Sequence, residues 1–154
     1  MSVLIILGSK SDSAVGKKAK DILNEFRVKS KMVVASAHRT PRHLAEIVEK
    51  SDADVFIAIA GLSAALPGAV ASHTTKPVIG VPVSGNVNLD SILSIVQMPP
   101  GIPVAAVGLD RGENAALLAV EILALSDKKL AKDLEKHRMQ LQAWIIEDSK
   151  SLGD

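Results

Sequence analysis

A histidine beside an arginine, a serine-rich turn closed by an aspartate, and a glycine–alanine run holding one serine are the groups in this chain that could do chemistry. The first is Ser36-Ala37-His38-Arg39-Thr40-Pro41. Histidine exchanges a proton near neutral pH, so His38 is a candidate general acid and base. Arg39 is a permanent cation with forked donors that suit a phosphate or carboxylate. The second is Gly8-Ser9-Lys10-Ser11-Asp12. At the start of a helix its free N–H groups and positive dipole end would favour a phosphate. Ser9 and Ser11 add hydroxyls, and Asp12 could accept from sugar hydroxyls. The spacing is not that of a Walker A loop. Plain capping of the helix by Ser11 or Asp12 is the competing use of the same residues. The third is Gly61-Leu62-Ser63-Ala64-Ala65-Leu66-Pro67-Gly68. It has the outline of a Gly-x-Ser-x-Gly nucleophile elbow, with Ala65 in place of the last glycine. The chain is short for such a hydrolase, and no acid-then-histidine pair falls at suitable strand ends. A nearly side-chain-free floor for a flat ligand, read by backbone groups, is the better use of these residues. His43, His73 and His137 fall on predicted helices, where a solvated or structural role is expected.

These groups need a scaffold that brings them together. Val3–Leu7 is a short continuous apolar run ended by Gly8, the pattern of a strand buried on both faces. A helix follows with Val15, Ala19, Ile22, Leu23 and Phe26 on one face. Met32–Ala35 reads as a second strand. Thr40 and Pro41 mark the start of a helix running to about Lys50. Asp54–Ala60 is a third strand, followed by a helix from Leu66 to Ser72. Val78–Val81 is a fourth strand, followed by a helix over Ser91–Val96 that Asp90 can start. Pro103–Val107 is a fifth strand. Asn114–Leu125 is a helix apolar almost all round, which must be covered on several sides by the sheet and by another subunit. A final amphipathic helix covers Asp127–Glu147, with Leu130, Leu134, Leu141 and Ile145 on one face.

Strands alternating with helices predict an α/β fold: a three-layer, doubly wound, five-stranded parallel sheet with an extra C-terminal helix. The expected strand order is 2-1-3-4-5, with ligands bound beyond the strand ends at the switch point between strands 1 and 3. All three polar groups lie at that edge. Residues 1–154 are expected to be a single catalytic domain, with the helix at about 127–149 packing on a neighbouring subunit.

Composition narrows the function classes. The chain has 154 residues, 18 Lys plus Arg against 17 Asp plus Glu, and a net charge of +1. That is no electrostatic footprint for nucleic acid or an anionic membrane. Aromatic residues are only 2%: Phe26, Phe56 and Trp144, with no Tyr. Base-stacking platforms and a flavin held between two rings are therefore disfavoured. With no Cys, thiolate nucleophiles and Cys-ligated zinc are excluded. No metal site is expected, because there is no His-Glu-x-x-His and no carboxylate cluster. Strand 3 ends in Ala60-Gly61, without the phosphorylatable Asp of a receiver domain. Val55–Ala71 is weakly polar but holds Gly61, Pro67 and Gly68, and reads as strand, loop and helix start rather than a membrane span. Met1–Leu7 lacks a basic segment ahead of its apolar run, which makes the cytoplasm the expected location.

Taken in order, six segments carry a resemblance: Gly-Ser-Lys-Ser-Asp (8–12), Ser-Ala-His-Arg-Thr-Pro (36–41), Ala-Leu-Pro-Gly (65–68), Ser-Ile-Val-Gln-Met-Pro (94–99), Gly-Ile-Pro-Val (101–104) and Asn-Ala-Ala-Leu-Leu-Ala (114–119). The chain resembles the small purine-biosynthesis family containing 5-(carboxyamino)imidazole ribonucleotide mutase and aminoimidazole ribonucleotide carboxylase. The resemblance implies a flavodoxin-like fold, no cofactor, no metal and a homo-octamer with sites near subunit contacts. It also implies that Ser9 and Asp12 hold the nucleotide, with Ser11 in the same loop. Ser36 and Arg39 would lie near its phosphate, and His38 would be catalytic. Gly61 and Leu66 would line the pocket for the imidazole and carboxylate, with Ser63 between them. The expected partners are a small ribonucleotide and carbon dioxide. Ala65 stands where mutase-type members usually have histidine, and Ser63 is reminiscent of carboxylase-type members. Arg39-Thr40-Pro41 and Val-Gln-Met-Pro follow the mutase pattern and favour the mutase. Direct carboxylation of aminoimidazole ribonucleotide is the alternative. A non-catalytic nucleotide-binding module and a small serine hydrolase are the remote ones.

Overall fold

Runs such as Val55–Ala60, with no polar side chain, can be satisfied only where both faces of a strand are covered. The computed structural model, which describes residues 1–153, buries that run completely. It is β3, the centre of a parallel sheet with β1 (Ser2–Leu7), β2 (Lys29–Val34), β4 (Val78–Pro82) and β5 (Ala105–Ala106). The order is β2-β1-β3-β4-β5, as the sequence predicts. Side chains alternate between two cores. Val3, Ile5 and Leu7 of β1 pack with α1 (Ser13–Glu25) and α5 (Gly112–Ala124). Leu4 and Ile6 face α2 (Pro41–Glu49), α3 (Leu66–Ala71) and α4 (Asn88–Val96). The period of two along each strand therefore sorts the helices into two layers. The C-terminal helix α6 (Lys128–Ser151) packs on α5 through Leu130 and Leu134.

Several local expectations change. Ser9 caps a short 3-10 turn over Lys10–Asp12 that leads into α1; Asp12 holds the N-cap position of α1, but neither it nor Ser11 makes a side-chain capping bond to that helix. Thr40 does precede α2, but its hydroxyl bonds back to Ser36 instead of capping. The second strand starts earlier, at Lys29. Its alternating Lys29, Ser30 and Lys31 hid it from an apolar pattern, as suits an edge strand protected by charge. The fifth strand shrinks to Ala105–Ala106, because Pro103 has no N–H to give to a ladder. The helix after β4 begins at Asn88, ahead of Asp90.

The apolar helix is covered largely from within this chain, with Leu117, Leu118 and Ile122 partly buried. One side of α5 lies on α1, another on β3 and β4, and α6 adds cover. Ala115, Ala116 and Ala119 are fully buried there, opposite Ala19. Gly112 is where the two helices come closest: a Cβ at that position would meet the carbonyl oxygen of Val15. Small residues on both helices permit this approach.

Candidate active site

The register of the sheet gathers the polar groups. Leu7 pairs with Val34 on one side and with Ile59 on the other, so three strands end level. The ladder continues one residue further, with Gly8 N–H donating to Ile59 O and Ala35 N–H to Leu7 O, both at 2.9 Å. Beyond it, α1 leaves β1 towards one layer and α3 leaves β3 towards the other, which opens a crevice between them.

In the first loop, Ser9 and Asp12 cap each other's backbone. Ser9 N–H donates to Asp12 Oδ2 at 2.9 Å, and the Ser11 hydroxyl donates to Asp12 Oδ1 at 3.2 Å. Asp12 is only 7% exposed. Burial pushes its carboxyl above the ordinary carboxylate range, against the Ser9 N–H, the Ser11 hydroxyl and the Arg39 charge, which pull it down. In the second loop, Arg39 folds back over the first. Its N–H and Nε donate to Ser36 Oγ at 3.1 and 3.3 Å, and a terminal NH2 donates to Gly8 O at 2.9 Å. Thr40 Oγ1 accepts from Ser36 N–H at 2.9 Å. These bonds leave His38 at the apex of the loop, exposed, its ring used in no hydrogen bond among the described residues. In the third loop, Ala64 is buried at φ 54°, a left-handed conformation for a residue with a Cβ. Leu62 projects outward, 77% exposed, so the floor is less free of side chains than its glycine and alanine content suggests.

One cavity of about 610 Å3 takes in all three loops. Ser9, Ser11 and Asp12 line it from the first, Ser36, His38 and Arg39 from the second, and Gly61, Ser63 and Leu66 from the third. The size falls in the usual range for a small-molecule site, on the order of 300–1,000 Å3. Sequence reasoning missed Val83 and Ser84, which add a wall from the end of β4. Only their place at the carboxyl end of a strand could have found them. The pocket is not closed: Leu62, Ser63, His38, Arg39 and Ser84 are all exposed.

The remaining histidines stand apart. His43 is exposed on α2. His73 meets Glu49 at 3.0 Å, and His137 meets Glu25 at 3.4 Å beside the Phe26 ring. Among the described residues no histidine hydrogen-bonds to Ser63, as the nucleophile of a hydrolase triad would require. Among the described residues, no three His, Asp or Glu side chains gather closely enough to hold a metal ion. No described helix is long and apolar enough to cross a membrane. The arrangement offers one cation, a helix start, a buried carboxylate and a free imidazole around a small crevice. That combination suits an anionic small molecule undergoing proton transfer.

Comparison with known proteins points the same way. Residues 2–143 match the AIR carboxylase family. The chain is 61% identical over 153 residues to the N5-carboxyaminoimidazole ribonucleotide mutase of Methanocaldococcus jannaschii, covering 99% of this chain and 98% of that one. It is 45% identical over 154 residues to a longer protein of Methanobrevibacter smithii, the probable N5-carboxyaminoimidazole ribonucleotide mutase, covering 97% of this chain and 45% of the relative. The crystal structure of Treponema denticola PurE superposes with a TM-score of 0.89 at 33% identity, covering 97% of both chains.

Proposed function

The chain belongs to the AIR carboxylase family, and from that premise we propose that it is a mutase of purine biosynthesis, converting 5-(carboxyamino)imidazole ribonucleotide to 4-carboxy-5-aminoimidazole ribonucleotide. The observation that carries this reading is the convergence of His38, Arg39 and the Ser9–Asp12 turn on one cavity. Arg39 and the start of the first helical turn attract the phosphate. Ser36 steadies Arg39, and Asp12, Ser9 and Ser11 hold the sugar side of the nucleotide. Gly61, Ser63 and Leu66 lie under the ring and its carboxylate.

The chemistry needs one proton moved twice. Protonated His38 gives its proton to the exocyclic carbamate nitrogen. The carbon–nitrogen bond breaks, leaving carbon dioxide and aminoimidazole ribonucleotide. The electron-rich ring carbon then attacks the carbon dioxide held beside it, at high effective concentration. Neutral His38 removes the proton left on that carbon and returns to its starting state. Atoms and charge balance without a cofactor.

The open rim favours a second reading, in which free carbon dioxide enters and aminoimidazole ribonucleotide is carboxylated directly. Purified protein given each substrate separately decides between them. Fast conversion of the carboxyamino nucleotide alone supports the mutase. Efficient conversion of aminoimidazole ribonucleotide with bicarbonate overturns it in favour of the carboxylase.

For retained carbon dioxide to be recaptured, the rim must be covered. We propose that assembly into a homo-octamer supplies the cover, with α6 packing on a neighbouring subunit and the protein acting in the cytoplasm. Trp144 and Ile145 of α6 are 56% and 69% exposed, a cost that a partner surface would remove.

A further inference from the structure

Val83 and Ser84 form the cavity wall on the β4 side, away from the β2 loop that carries His38. Between Pro82 and Asn88 the chain has no regular structure of its own, yet its amides are held. Ser84 N–H donates to Asp110 Oδ1 at 2.9 Å, and Gly85 N–H donates to Asn88 Oδ1 at 2.8 Å. Asp110 itself is fixed from three directions. Its N–H donates to Pro82 O at 2.9 Å, Lys18 Nζ donates to its carbonyl at 3.2 Å, and its backbone sits at φ 58°. Asp is one of the few residues besides glycine that tolerates that conformation. Partial burial pushes the Asp110 carboxyl up. Ser84, with Lys18 and Arg111, outweighs it and holds the group below the ordinary carboxylate range. Asp110 does not itself line the cavity.

We propose that Asp110 is a positioning residue for the nucleotide site and that Ser84, which it holds, contacts the bound ribonucleotide. This rests on reading the cavity as a ribonucleotide site. The amide of Ser84 is held by Asp110, while its hydroxyl is left for a ligand at the exposed cavity wall. Ser84 Oγ can there accept from or donate to a group on the ligand, such as a sugar hydroxyl or the exocyclic amine. The site then has cationic and acidic groups on the β1 and β2 loops, and a hydroxyl on a backbone held in place on the β4 side.

The test is the affinity of the whole protein for aminoimidazole ribonucleotide, by titration calorimetry, with thermal unfolding measured in parallel. Asp110→Gly removes the carboxylate while tolerating the left-handed backbone. It should weaken binding roughly tenfold, with kcat at saturating substrate nearly unchanged. Asp110→Asn keeps an acceptor for the Ser84 amide and should recover most of the affinity. Ser84→Ala should weaken binding without lowering the unfolding temperature. An unchanged Kd in Asp110→Gly overturns the proposal, whatever happens to its stability. If that variant fails to fold, Ser84→Ala decides, and an unchanged Kd there overturns it. Wild-type protein that binds no aminoimidazole ribonucleotide overturns both this inference and the reading of the site. Wild-type binding with unaffected variants overturns this inference alone.

Discussion

A carboxylate taken out of water destabilises a fold unless hydrogen bonds and charge compensate, and at Asp12 burial outweighs the compensation. Its carboxyl titrates above the ordinary range, so between the unfolded and folded values the native state binds more protons than the unfolded state. Stability from this group is thus fully present at acid pH and is lost as pH rises through the folded value. Asp12→Asn should therefore raise the unfolding temperature at pH 7 while weakening nucleotide binding. Denaturation and calorimetry on the same variant check the two opposite signs. His38 belongs to a different class, since nothing in the fold leans on its ring. His38→Asn should lower kcat by about 10²–10⁴-fold, the usual worth of a general acid–base group. Its melting temperature and nucleotide affinity should stay close to wild type. Full activity in that variant would remove the proton-transfer role. Arg39 is both ligand and brace, because the same guanidinium that would meet a phosphate also ties the β2 loop to Gly8. Arg39→Lys keeps the charge and loses the fork, and a roughly tenfold rise in KM is expected.

Between elements, the approach of α1 and α5 determines how precisely the Ser9–Asp12 turn is aimed, because α1 begins where that turn ends. The approach rests on Gly112, Ala115, Ala116 and Ala19 rather than on large side chains. Gly112→Ala places a methyl group against the Val15 carbonyl, a backbone atom that no rotamer change can move away. A loss of about 1–3 kcal/mol is expected, or roughly 2–4 °C in melting temperature for each of those kcal/mol. Gly85→Ala is the control, since a Cβ there meets nothing within 4 Å. It should change stability by less than about 0.5 kcal/mol. Similar losses in both variants would mean that the small residues of α5 do not set the crossing.

At the scale of the whole molecule, two helices each carry a group of exposed apolar side chains. One is Leu141, Trp144, Ile145 and Ile146 on α6; the other is Leu89, Leu93 and Val96 on α4. The inner part of α6, by contrast, is anchored on α5 through Leu130. Trp144→Glu combined with Ile145→Glu should reduce the molar mass measured by light scattering while leaving the fold of each chain intact by circular dichroism. An unchanged mass would show that α6 is not part of the contact between copies. Loss of turnover together with the loss of assembly is expected if a neighbouring chain covers the cavity rim.

The sequence by itself determined the strand order, the two layers of helices and the three loops that line the cavity. The elements and loops follow from local rules: apolar runs of strand length, helical periodicity, and Gly, Pro or Ser at the boundaries; the strand order follows from the topology that alternating strands and helices favour. Residue types also marked His38 and Arg39, because their chemistry does not depend on their neighbours. The tertiary structure decided what depends on residues distant in the chain. Ser84 entered the site only because β4 ends level with β3, where Val83 N–H meets Ala60 O at 3.0 Å. Asp110 reached it across 26 residues of sequence. The apolar helix is covered largely within its own chain because glycine and alanine on two helices happen to face each other. No pattern within either helix carries that information, since close packing is a property of pairs of surfaces.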